Sequence, residues 1–352
     1  MKGVVLAGGK GSRLRPFTYS GAKQLVPIAN TPVLHFPIRQ LVEAGIEEIG
    51  IVVGDTHAQI RQAMGDGSAF NARFSYIPQP EPLGIAHAVR LARDFVGEDP
   101  FVLYLGDNVL RGGIVDFVKR FAGSGAAASV VLKSVPDPRA FGVAETRDGR
   151  LLRVIEKPPE PPSDLAVIGV YAFSPAVFGV IESQSPSARG ELEIADSING
   201  LLAAGHEVLA DVTPEYWIDT GKMEDMLQAN RVVLADLVPF VDPEASVACS
   251  QVEGRVHIGA GAIVEGSRIV GPVAIDAGAV VRNCTVGPDV AIGARARLEG
   301  VTISNAIVME ESVVLDCPDI RDSMIGRFAH VAGAPACSRL TLGDHSRIEA
   351  GE

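Results

Sequence analysis

From Val256 onward the chain sets down an aliphatic residue about every six positions, and few folds tolerate that rhythm. Ile258, Ile263, Ile269, Ile275, Val280, Val286, Ile292 and Leu298 mark the period, and Ile258, Val286 and Ile292 are each followed by Gly. Weaker echoes run through Ile303, Val308, Val313, Ile325 and Leu342, with Gly, Ala and Ser filling most places between. An aliphatic period of six is the signature of a parallel β-helix, in which three hexapeptides close one triangular coil. On that count ~100 residues would stack roughly six coils. A β-sandwich fits the even spacing poorly, because its turns should vary in length.

The first two-thirds has a different texture. Gly3–Ala7 is a short apolar run entering the glycine loop Gly8–Ser12, the pattern of a buried strand feeding a loop. Val33–Gly45 has helical spacing with Gly45 as its stop, and Ile49–Val53 is a second buried strand. Residues 57–64 and 84–95 read as helical, and Phe101–Leu105 as a strand running into Gly106-Asp107-Asn108. Strands follow at 129–135, 142–146, 151–156, 167–173 and 207–212. Alternating strands and helices predict an α/β, Rossmann-like, mostly parallel sheet that binds ligands at the carboxyl ends of its strands. Met223–Leu237 would close that domain, and Val238–Pro243 would link it to the repeats. The expected division is therefore 1–237 and 238–352.

Composition narrows the chemistry. The net charge of −12 argues against nucleic acid and anionic membrane as partners. Yet Met1 to Val42 holds six basic residues (Lys2, Lys10, Arg13, Arg15, Lys23, Arg39) and no Asp or Glu, an island suited to a small polyanion such as a triphosphate. Cys249, Cys284, Cys317 and Cys337 form no C-x-x-C pair, so neither zinc nor a redox motif is expected. The N-terminus lacks an apolar signal region, and no apolar run approaches the ~18 residues needed to span a bilayer. A cytoplasmic setting is the expectation.

The loop Leu6-Ala-Gly-Gly-Lys-Gly-Ser-Arg-Leu-Arg-Pro16 carries the sharpest signal. Glycines let backbone N–H groups approach phosphates, and Arg13 and Lys23 would add positive charge where a pyrophosphate leaves. Leu14 occupies the third glycine position of a dinucleotide fingerprint, and no Gly-Lys-Ser/Thr follows to make a P-loop. Gly8, Gly9, Gly11, Ser12, Arg13, Leu14, Pro16 and Thr18, then Lys23, Leu25, Pro27, Ile28 and Pro32, match in order the motifs of the sugar-1-phosphate nucleotidyltransferase family. The chain resembles that family over nearly its whole length. Within it the chain is most similar to the long glucose-1-phosphate thymidylyltransferases, which carry a C-terminal left-handed β-helix.

The resemblance implies roles for later motifs. Leu6, Gly8, Gly9, Gly11, Ser12 and Arg13 would hold the nucleotide. Gln79 and Gly84, in Gln79-Pro-Glu-Pro-Leu-Gly84, would read the pyrimidine base. Asp107 and Asp219 would ligate Mg²⁺, which suits an ion that uses one or two carboxylates plus phosphate oxygens. Phe141, Gly142, Val167, Tyr171 and Trp217 would line the hexose pocket. Glu156 would hold sugar hydroxyls, and Lys157 and Arg189 the sugar phosphate. Phe141 stands where a Tyr is usual in the short forms, His87 where a Gln is usual, and Lys10 replaces a small residue.

The implied reaction is in-line attack by glucose 1-phosphate on the α-phosphorus of dTTP, giving dTDP-glucose and pyrophosphate. Arg13, Lys23, Asp107 and Asp219 would carry the catalysis. UTP or another sugar 1-phosphate is an alternative, since a single methyl is worth only ~1–3 kcal/mol in an apolar pocket. A second, acetyltransferase activity in the β-helix would need a base, for which His257, His330 and His345 qualify by residue type only. A non-catalytic regulatory subunit ranks last, because the phosphate and metal residues are all present. The β-helix is expected to support a homo-oligomer.

Overall fold

The computed structural model describes residues 1–349, which fall into two compact units. The first comprises residues 1–10 and 34–219. Its strands are β1 (Lys2–Ala7), β2 (Glu48–Val53), β3 (Arg73–Pro78), β4 (Phe101–Leu105), β5 (Asn108–Leu110), β6 (Ala128–Ser134), β7 (Gly142–Arg147), β8 (Arg150–Glu156), β9 (Leu165–Phe173), β10 (Val208–Val212) and β11 (Trp217–Asp219). The main sheet runs β8-β7-β9-β4-β1-β2-β3, with β6 on β9 and β10 on β6. The expected parallel arrangement holds across β4, β1, β2 and β3, and antiparallel strands extend it beyond β4. Val4, Val5, Ile51, Val52, Leu103 and Tyr104 are fully buried, as strands covered on both faces require.

Helices α1 (His35–Glu43), α2 (His57–Met64), α3 (Ile85–Leu91) and α4 (Arg93–Val96) stand where periodicity predicted them, the 84–95 segment being broken at Ala92. Three helices were not read from the sequence: α5 (Val115–Ser124), α6 (Ala176–Ser183) and α7 (Ile194–Ala203). The Ala-Val-Phe-Gly-Val-Ile run of α6 has no polar face to set its period, and α7 starts at the last residue of the motif Arg189-Gly-Glu-Leu-Glu-Ile194. Edge strand β3 was missed as well.

The second unit comprises residues 11–33 and 220 onward. It holds α8 (Met223–Ala235) and a stack of short parallel strands, the expected β-helix. Equivalent residues in successive coils lie 17 apart, as in the Ser250–Ser267 and Ser267–Cys284 hydrogen bonds, except at one step of 16 where Arg297 pairs with Val313, so a coil is one residue short of three hexapeptides and once two short. One face alone stacks seven strands, from Ser246–Ala248 to Arg347–Glu349. The shortfall moves part of the pattern by one position. Val264, Val281 and Val314 are fully buried inside the coils, whereas Ile263, Val280 and Val313 are half-exposed.

Corners explain the missing residue. Cys249, Gly266, Asn283, Gly300, Asp316 and Gly333 form one column of left-handed residues, and Gly261, Gly278, Arg295, Glu311, Phe328 and His345 form another. Each turns the chain between faces in a single residue, a conformation favoured by Gly, Asn and Asp. Phe328 and His345 stack 4.9 Å apart at adjacent corners, and His257 packs on Phe240 at 5.3 Å. These rings bind one coil to the next.

The division into units departs from the expected 237/238 boundary. Residues 11–33 and α8 group with the β-helix rather than with the sheet. The physical reason is hydrogen bonding: Asn30 donates to Ile292 O (2.9 Å), and fully buried Asn230 of α8 accepts from Ala29 N (2.8 Å) while donating to Asp289 O (3.2 Å). Among the described residues no helix is long and apolar enough to cross a membrane.

Candidate active site

In the first unit the expected nucleotide residues meet at the carboxyl ends of the parallel strands. Gly106 N donates to Leu6 O (2.9 Å), and a Cβ on Gly106 would stand 2.6 Å from that oxygen, so the turn after β4 must be glycine. Gln79 follows β3, is 8% exposed, and its Oε1 lies 3.0 Å from where a Cβ on Gly8 would be. Its Nε2 donates to His87 Nδ1 (3.1 Å) and more weakly to Gly84 O (3.4 Å). That bond needs a neutral imidazole, and burial, followed by Arg90, lowers the His87 pKa against a smaller opposing pull from Glu81. The glycine at 84 has a backbone cause of its own. Its φ is +104°, and a Cβ there would lie 2.4 Å from Leu192 O.

The two expected metal ligands come from paired strands. Asp107 sits in the turn between β4 and β5, and β11 pairs antiparallel with β5 so that Asp219 faces Asn108. Sequence reasoning passed over Asn108, which is buried and accepts a hydrogen bond from Trp217 Nε1 (2.9 Å), pinning the two strands side to side. Among the described residues no group of three or more His, Cys, Asp or Glu converges on a metal position. A carboxylate in the turn that enters β5 and another on the paired β11 are a donor set that fits Mg²⁺ completed by phosphate oxygens.

The expected sugar-phosphate residues are also brought together. The ring of Phe141 lies edge-on to Trp217 with centroids 5.2 Å apart. Lys157 N donates to Phe141 O (2.9 Å), and Gly142 leaves room for Glu156 Oε2, 3.2 Å from an added Cβ, with Val167 at 3.8 Å. Glu156 pairs with Lys157 (3.2 Å) and with Arg189 (3.3 Å). Arg189 is held most firmly by Glu193, to which the sequence reading of Arg189-Gly-Glu-Leu-Glu-Ile194 gave no role, through two 2.8 Å bonds. The hydrogen bond to Glu193 is the largest reason that the Arg189 pKa is raised. Tyr171 lies in the core, stacked on Phe173, and burial raises its pKa, with Glu156 adding to the effect.

The second unit carries the rest of the loop motif. Gly11 has φ +62°, and a Cβ on it would stand 2.8 Å from Lys23 Cβ and 2.9 Å from Thr18 Cγ2. Thr18 Oγ1 donates to Gly11 O (2.7 Å). Ser12–Leu14 forms a 3₁₀ turn whose Leu14 is buried while Ser12 and Arg13 are exposed. Lys23–Leu25 forms another 3₁₀ turn. Arg13 lies near enough to Asp225 of α8 to lower its pKa, as does Lys222, although burial outweighs both and raises it. Gln24 was missed in the sequence. It is 1% exposed, and its Oε1 has no hydrogen-bond partner.

Comparison with known proteins shows that the chain belongs to the nucleotidyl transferase family. The family model for Nucleotidyl transferase matches residues 2–236. A glucose-1-phosphate thymidylyltransferase of Streptomyces griseus is 46% identical over 353 residues, 99% of either chain. A low-salt glycan biosynthesis nucleotidyltransferase of Haloferax volcanii is 45% identical over 358 residues, spanning 99% of this chain and 100% of its own. A crystal structure from Bacillus anthracis, described as a glucose-1-phosphate thymidylyltransferase in complex with sucrose, is 38% identical with a TM-score of 0.64. It covers 69% of this chain and 98% of its own.

Proposed function

We propose that this chain, which belongs to the nucleotidyl transferase family, transfers a thymidylyl group from dTTP to glucose 1-phosphate and releases pyrophosphate. The observation that carries the reading is the β5–β11 pairing, which sets Asp219 beside the strand that Asp107 enters. The names of the full-length and shorter relatives support dTTP over UTP and glucose 1-phosphate over other sugars. Four cysteines without a disulfide fit a cytoplasmic enzyme.

The nucleophile is a phosphate oxygen that is already anionic, so no general base is assigned. Catalysis rests on alignment and charge. Lys157 and Arg189 hold the sugar phosphate. The Arg189 bonds to Glu193 and Glu156 use Nε and Nη2, and its guanidinium has further N–H donors for an incoming phosphate. Phe141 and Trp217 flank the sugar. Gln79 turns toward the base as an acceptor, because both of its N–H groups face His87 and Gly84. Arg13 and Lys23 neutralise the departing pyrophosphate. Mg²⁺, held by Asp107 and Asp219, would supply Lewis-acid charge neutralisation at the phosphates.

Pyrophosphate release should be assayed with dTTP and UTP against several sugar 1-phosphates, with and without Mg²⁺. The dTTP and glucose 1-phosphate pair should be fastest, and EDTA should stop it. Asp107→Asn should abolish turnover while leaving the far-UV circular dichroism unchanged. Robust activity in that variant would refute the metal assignment.

A further inference from the structure

We infer that Arg327, a β-helix residue, is a positioning residue for the Lys23–Leu25 turn, an inference that rests on the nucleotide-binding role proposed for that segment. Most arginines of the coils are exposed and pair with a carboxylate of the same or the next coil, as Arg282 does with Glu265, Arg295 with Glu311 and Arg347 with Glu349. Arg327 is different. Its side chain is 24% exposed, and its Nη2 donates to Leu25 O at 3.0 Å, a backbone oxygen from the opposite end of the sequence.

The guanidinium is itself fixed. Nε donates to Glu310 Oε1 (3.0 Å), and Nη1 lies 3.8 Å from Asp344 Oδ2. Asp344 is 8% exposed, accepts from Arg327 N at its Oδ1 (2.8 Å), and accepts from Ser20 Oγ at its Oδ2 (2.7 Å). One half-buried ion pair therefore grips the N-terminal segment twice, at Ser20 and at Leu25. The segment around those points is internally tied: Leu25 N donates to Ala22 O, Val26 N to Lys23 O, and Thr18 Oγ1 to Gly11 O, while Lys23 Cβ packs under Gly11. Holding its two anchors fixes the glycine loop and Lys23 as one piece. The arrangement gives this chain's β-helix a part in catalysis that needs no second active site.

Positioning matters because in-line transfer depends on placement, and a 1 Å error can cost on the order of 100-fold. Arg327→Ala should lower kcat/KM for dTTP about 10- to 100-fold. KM for glucose 1-phosphate, bound by residues of the other unit, should stay unchanged. Arg327→Lys, which keeps one donor, should retain part of the activity. Added guanidinium ion, well below denaturing concentration, should restore part of the Arg327→Ala rate, an effect that general destabilisation cannot produce. Arg347→Ala should behave as wild type. Hydrogen exchange at the amides of residues 18–26 should rise in Arg327→Ala whether or not turnover is measurable.

Wild-type kinetics together with unchanged exchange in Arg327→Ala would overturn the inference. So would equal losses toward both substrates with no guanidinium rescue. Absence of nucleotidyl transfer in the wild-type protein would instead count against the proposed function, and the exchange measurement would still decide whether Arg327 holds the turn. Should Arg327→Ala fail to fold, Ser20→Ala and Arg327→Lys test the same grip with smaller disturbance.

Discussion

His35 opens α1 half-buried, its ring edge-on to Phe70 at 4.9 Å, and its pKa is lowered to about 4 by burial and then by Arg39. In the unfolded chain it titrates near 6.5. Between those values the unfolded state binds a proton that the folded state refuses, so stability rises with pH across the window and is lost as pH falls from 6.5 toward 4. Thermal unfolding should show Tm dropping over that range, with a shallower slope in His35→Gln; equal slopes would remove His35 from the account. At the same scale, the charged pair Glu156–Lys157 was legible because its residue types and neighbours form a motif. The roles of Glu193 and Asn108 were not. Their work is to orient Arg189 and Trp217, and a supporting carboxylate or amide has no spacing rule linking it to the group that it holds.

The β-helix was legible as an element because an aliphatic period survives even when individual positions are misassigned. The period read from the sequence put Val280 inside the coil, whereas the 17-residue repeat puts Val281 there. In a strand a shift of one residue reverses the face, so the difference is testable. Val281→Ala should cost about 2 kcal/mol, from lost burial and the void left behind. Val280→Ala should cost under about 1 kcal/mol, since that side chain is already half-exposed. Urea unfolding measures both, and equal costs would contradict the assigned register. The left-handed corners escaped the sequence reading because four of the six residues in the second column are Arg, Glu, Phe and His, which carry no turn signal.

At the scale of the whole molecule, the linear boundary expected at 237/238 coincides with the end of the family match at residue 236, yet the compact units divide the chain otherwise. The Bacillus anthracis structure matches over 98% of its own chain but 69% of this one, whose second unit carries a β-helix. Here residues 11–33 lean on one, through Asn30, Asn230 and Arg327. Asn230→Ala would strand Ala29 N and Asp289 O, and should destabilise the protein by about 1–3 kcal/mol. The loss should appear in the unfolding transition that includes the β-helix, and an unchanged midpoint would mean that water replaces both bonds.

What the sequence determined alone were features with a local cause: strands and helices whose apolar period matches their geometry, a repeat that can only stack, and motif residues whose chemistry is written in their types and order. What the tertiary structure decided was everything set by partners distant in the chain. That includes the side of the coil on which a valine falls, the carboxylate that aims Arg189, and the unit to which the loop after Lys10 is tied. Periodic burial is repeated many times over and so leaves a pattern, whereas a single long-range hydrogen bond such as Arg327 to Leu25 leaves none.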